Sequence, residues 1–151
     1  MLKPRKTTHG DYETTVIFEA LARYRVRIIF CQELRKAWDA RFPTTRLVIS
    51  DDCGAFHHTY DDGESRLFFL IGDCKTGTVA HECLHAIWAM MEFVGIGFKE
   101  EEFVAYHLDF LVQAVQNYKN DMIDAGVGIK SCKRKRHHEG RKSVRRSRTK
   151  A

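Results

Sequence analysis

Hydrophobic positions along this chain change period several times, and each change marks an element. Residues 24–30, Tyr-Arg-Val-Arg-Ile-Ile-Phe, alternate for most of their length and are rich in β-branched side chains, which predicts a strand. The segment before it, Val16 to Arg23, reads as helical, and residues 31–41 read as a helix that Pro43 ends. Arg46–Ser50 reads as a second short strand. Ala55–Tyr60 and Ser65–Ile71 flank Asp61-Asp62-Gly63-Glu64; two β-prone runs around such a turn predict a hairpin. Its second arm is too apolar to keep a fully wet face and belongs near the core.

After Gly72 and Asp73 the period becomes helical. Thr76 or Thr78 can cap a helix running to about Val94, with Ala80, Leu84, Ile87, Met91 and Val94 as its core stripe. His81, His85 and Trp88 form the neighbouring stripe, and Gly95-Ile96-Gly97 ends the helix. A second helix is expected from Lys99 to about Asn120. Glu100, Glu101 and Glu102 suit the positive end of its dipole, and Phe103, Tyr106, Phe110, Ala114 and Val115 form its expected buried stripe. From Lys130 no apolar period remains. The expectation is an α+β domain over residues 1–129, a small sheet preceding two helices, followed by a disordered basic tail over 130–151.

Charge sharpens that division. Residues 130–151 carry 11 Lys/Arg and one acid, whereas the rest of the chain carries 14 basic and 19 acidic side chains. An acidic domain thus bears a basic tail. No apolar run is long enough to span a membrane, and the first residues hold no apolar stretch of the export type. Cys31, Cys53, Cys74, Cys83 and Cys132 are scattered without a C-x-x-C pair, which indicates neither a zinc ribbon nor a redox dithiol. A cytoplasmic protein with reduced thiols is the simplest expectation, with Cys83 as a small buried one.

The strongest chemical signal is His81-Glu82-Cys83-Leu84-His85, an H-E-x-x-H pattern inside the first long helix. Residues four apart lie on one helical face, so both imidazoles can reach a single metal ion, with Glu82 beside them as a general base. At this composition roughly 0.03 such matches arise by chance. Catalytic zinc takes three protein ligands, so a third must come from elsewhere. The longer pattern H-E-x-x-H-x-x-G-x-x-H fails, because Trp88 and Met91 stand at its glycine and histidine positions. The following helix offers Glu102 first and Glu101 second, with His107 a minor rival and Asp109 an acceptor that could orient an imidazole. Tyr106, His57, His58 and Tyr60 are candidate donors to a developing oxyanion, and the sequence does not choose among them.

Gly77-Thr-Val-Ala-His-Glu-Cys-Leu-His-Ala86, a glycine break and then Glu102-Phe-Val-Ala-Tyr106 resemble small zincin-like metallopeptidases of the minimal gluzincin type. The resemblance covers roughly residues 55–115, and phage- and prophage-encoded members look closest, with SprT-like and IrrE-like proteins more distant. It implies a zincin-like fold, a Zn2+ cofactor, ligands His81, His85 and Glu102, Glu82 as base, and a protein or peptide substrate. The chain lacks the cysteine ribbon of SprT-like proteins and the companion domains of IrrE-like ones, so no particular substrate is implied.

The tail supplies a rival theme. Lys133, Arg134, Lys135, Arg136, Arg141, Lys142, Arg145, Arg146 and Arg148 could neutralise phosphates and bind nucleic acid without sequence preference. The alternative to a peptidase is therefore a nucleic-acid-binding or virion-associated structural protein on a non-catalytic zincin scaffold.

Overall fold

The computed structural model describes residues 4–50, 52–60, 63–97 and 99–127. The basic tail and its candidate contacts from Lys133 to Arg148 lie outside the described residues, as do Asp61 and Asp62 of the hairpin turn.

The fold is α+β. A mixed four-stranded sheet runs in the order β1-β2-β4-β3, built from β1 (Tyr12–Phe18), β2 (Tyr24–Cys31), β3 (Ala55–Tyr60) and β4 (Glu64–Leu70). β1 and β3 pair antiparallel to their neighbours, while central β2 and β4 run parallel. Helix α1 (Leu34–Asp39) covers one face; α2 (Thr76–Val94) and α3 (Glu101–Asp124) cover the other. Both faces of the central strands are therefore covered over much of their length, which explains the near-continuous apolar runs Ile28-Ile29-Phe30 and Leu67-Phe68-Phe69. Ile28, Phe30, Leu67 and Phe69 pack toward α2 and α3, and Ile29, Cys31 and Phe68 pack toward α1.

The hairpin forms as expected. Gly63 is required there: its φ is +78°, and a Cβ would stand 2.7 Å from the Phe93 ring. The end of α2 also follows expectation, with Gly95 left-handed and Ile96 N–H donating to the Met91 carbonyl at 2.9 Å.

Several expectations are corrected. Val16–Arg23 is not helical: Tyr12–Phe18 is a strand in register with β2, and the chain reverses through 19–23 with Ala22 and Arg23 at positive φ. Long-range pairing overrides the local pattern. Arg46–Ser50 forms no strand; Leu47 and Ile49 pack at the edge of the α1 cluster, but no ladder receives the segment and Val48 is 87% exposed. Helix α1 is shorter than residues 31–41 because β2 continues to Cys31. Neither Thr76 nor Thr78 caps α2, whose N-cap is Lys75 in extended conformation without a side-chain bond.

The core stripes also move. On α2 the buried set is Val79, Glu82, Cys83, Ala86, Ile87, Met90 and Met91, rotated by about one residue from the expected set. On α3 it is Leu111, Val115, Tyr118 and Met122, with Val104 and Leu108 packed beside them. Tyr106 is 71% exposed and Phe110 48%. Val115 is buried as expected and Phe103 packs partly against the core, but Tyr106 and Phe110 stand on the exposed side.

Candidate metal centre

Three elements meet at the H-E-x-x-H segment. Helix α2 carries it, α3 packs beside α2, and the edge strand β3 crosses on the other flank. One turn of helix brings His81 and His85 together, with ring centroids 4.7 Å apart and planes at 85°. Their Nε2 atoms converge to 3.2 Å. Two nitrogens each about 2.05 Å from a tetrahedral zinc stand about 3.3 Å apart, so this pair fits two ligand positions on one ion. Without metal, the same spacing lets one imidazole donate to the other. His81 is exposed and His85 half-buried, so the pair opens to solvent on one side. Trp88, itself partly exposed, walls that opening 5.8 Å from the His85 ring.

Glu82 follows His81 by one residue, about 100° round the helix on the side of the sheet, and is only 8% exposed. Burial pushes its carboxyl up from the usual carboxylate range, opposed by the two motif histidines and by the His57 backbone N–H, which donates to it. A buried carboxyl whose pKa is raised beside two imidazoles is a stronger base than a free carboxylate, as a general base requires.

Strand β3 sorts the donor candidates by its alternation. Ala55, His57 and Thr59 face α2, whereas Phe56, His58 and Tyr60 face α1. His57 thus belongs to the site: its ring stacks on His85 at 6.1 Å and 9°. Its Nε2 sits 2.9 Å from Ser65 Oγ and 3.0 Å from Thr59 Oγ1, and Ser65 Oγ in turn lies 2.6 Å from the buried Tyr24 hydroxyl. Burial, then His85 and His58, push the His57 pKa down to about 4, which keeps the ring neutral. His58 packs edge-on to Trp38 on the far face, and Tyr60 is held by Arg66.

Helix α3 does not complete the pair. Glu102 precedes the packed Val104 by two residues, about 200° of turn, and so projects from the outer face, where it is exposed. Glu101 is exposed as well; Tyr106 meets His107 edge-on and is itself exposed, and Asp109 accepts from the Gln113 amide rather than from a motif imidazole. Among the described residues, no three His, Cys, Asp or Glu side chains form a group that could hold a metal. His107 Nδ1–H donates to the Phe103 carbonyl within its own helix at 2.8 Å, and the ring stacks on that of Phe103.

The described cysteines are free thiols. Burial pushes Cys31 and Cys83 up to about 12 and Cys74 to about 11, so these three are packing groups rather than nucleophiles or ready ligands.

No protein-family model matches the chain, and no match was found among curated proteins or solved structures. No helix among the described residues is long and apolar enough to cross a membrane.

Proposed function

We propose that this chain is a zinc-dependent peptidase of the zincin-like, minimal gluzincin type, acting in the cytoplasm, in keeping with its resemblance to phage- and prophage-encoded members. The observation that carries the proposal is the 3.2 Å convergence of His81 and His85 Nε2 beside the buried carboxyl of Glu82. His81 and His85 would hold the ion, with Glu102 the third ligand that the resemblance implies and that the present geometry of α3 leaves on the outer face. When bound, zinc would acidify water and polarise a peptide carbonyl.

The protein's own part is proton handling and positioning. Glu82 takes a proton from the attacking water and returns it to the leaving amine. The His57 backbone N–H favours the ionised form of that carboxyl, and the Tyr24–Ser65–His57 chain holds the imidazole against His85. Neutral His57 can donate a hydrogen bond to charge that develops on the substrate oxygen.

A casein or peptide-library cleavage assay on the zinc-loaded chain tests this reading. Wild type should cleave and Glu82→Gln should not, while both retain metal. Equal cleavage by the two would remove Glu82 from the chemistry. The 11 basic residues of the tail favour a second reading, a nucleic-acid-binding or virion-associated structural protein on a non-catalytic scaffold. There, nucleic-acid binding would survive Glu82→Gln and no substrate would be cut.

A further inference from the structure

On the sheet face opposite α2 and α3 lies a second concavity, a cavity of 380 Å³ walled by Thr7, His9, Glu13, Arg27, Arg41 and Arg66. Its charges are layered. Asp11 and Glu64 are buried, 7% and 2% exposed, and hold the arginines from behind. Asp11 Oδ2 is 2.7 Å from Arg41 Nη1, and Glu64 Oε1 is 2.8 Å from Arg66 Nε and 2.9 Å from Arg27 Nε. Glu13 bridges Arg27 and Arg41 at 3.0 and 3.1 Å. The rings of Tyr60 and Phe42 hold the Arg66 guanidinium at 4.4 and 4.9 Å.

Asp11 and Glu64 do not line the cavity, so three guanidinium groups face it against one carboxylate. Among the described residues, Nη2 of Arg27 and Nη2 of Arg66 have no protein partner, although each carries two N–H donors. A purely structural ladder of ion pairs would spend its donors on its own carboxylates. Here buried acids orient the forks and leave donors at the wall, the arrangement that suits a bidentate tetrahedral oxyanion.

We propose that this cavity binds the phosphate group of a small phosphate monoester, held by Arg27 and Arg66 with His9 and Thr7 as further donors. The volume exceeds what one phosphate needs and falls in the range of small-molecule sites, leaving room for a nucleoside-sized remainder. The cavity lies across the sheet from the motif, so the proposal stands apart from the peptidase reading, and Glu82→Gln should leave phosphate binding unchanged.

Isothermal titration of the full chain at constant chloride tests it, with inorganic phosphate, adenosine 5′-monophosphate and adenosine as probes. Both phosphates should bind at one site per chain and adenosine should not. Arg66→Gln leaves Glu64 paired with Arg25 and Arg27, and should weaken phosphate binding about tenfold. His9→Ala, which breaks no ion pair among the described residues, should weaken it less, and Arg146→Gln in the tail should not matter. Thermal midpoints show that each variant is folded. No binding above chloride, equal binding by folded Arg66→Gln and His9→Ala variants and wild type, or loss on Arg146→Gln would each overturn the proposal.

Discussion

Glu82 occupies the position where burial and charge compete most directly. The sheet desolvates its carboxyl while His81, His85 and the His57 N–H favour the anion, and the balance leaves its pKa raised. As general base it should be worth about 10²–10⁴-fold in rate, so Glu82→Gln should lower kcat by that factor with zinc content unchanged. A loss confined to KM would point to substrate binding instead. His58 gives a pH test away from the motif. Burial, then Arg66, lower its pKa, so the unfolded chain takes up the proton first. Its stabilising effect is therefore complete above the unfolded value near 6.5 and fades as pH falls below it. Urea midpoints of the metal-free protein should drop between pH 7.5 and 5 in wild type and less steeply in His58→Gln; parallel slopes would contradict the assignment. The H-E-x-x-H residues were legible because their relation is local, one helical turn. His57 was named only among several donors, because its place depends on β3 lying beside α2 and on Thr59 pairing with Ser65. The alternation along β3 was the available signal, but its inward face cannot be known before the sheet order.

At the scale of elements, α3 separates pattern from packing. Leu111 is fully buried between α2 and the sheet, whereas Phe110, one residue earlier, is half exposed and touches Phe18 edge-on. Leu111→Ala should cost about 2–5 kcal/mol in chemical denaturation and Phe110→Ala less than half of that. The reverse order would restore the aromatic stripe. Strands β2 to β4 and helix α2 were readable because period, turn residues and length agreed. β1 was not legible because the local pattern of Val16–Arg23 reads as helical, and only pairing with β2 makes Tyr12–Phe18 a strand. Residues 46–50 failed the other way: they alternate in burial, yet no strand pairs with them. Glu102 shares the outer face of α3 with Tyr106 and Phe110, so a stripe drawn through those aromatics carries it inward as well.

At the scale of the molecule, the sheet divides two chemistries. The histidine pair and Glu82 lie on the α2 side, and the arginine cavity on the α1 side. The basic tail adds a third feature whose position is not described. If the tail meets phosphates, oligonucleotide affinity should fall steeply with salt. Replacing Lys133, Arg134, Lys135 and Arg136 by Gln should reduce the log–log slope by about 0.7 for each contact removed on single strands. An unchanged slope would assign the tail to another partner.

The central claim is that His81 and His85 hold one metal ion. Zinc content of the purified chain, measured by mass spectrometry for wild type, His81→Ala, His85→Ala and Glu102→Ala, tests it most directly. Wild type should carry about one zinc per chain, and either histidine variant should lose it. Retention in Glu102→Ala would show that the ion relies on the histidine pair without α3, and loss there would show that α3 turns Glu102 inward when metal binds. A metal-free wild type, or equal zinc in His81→Ala and wild type, would contradict the claim.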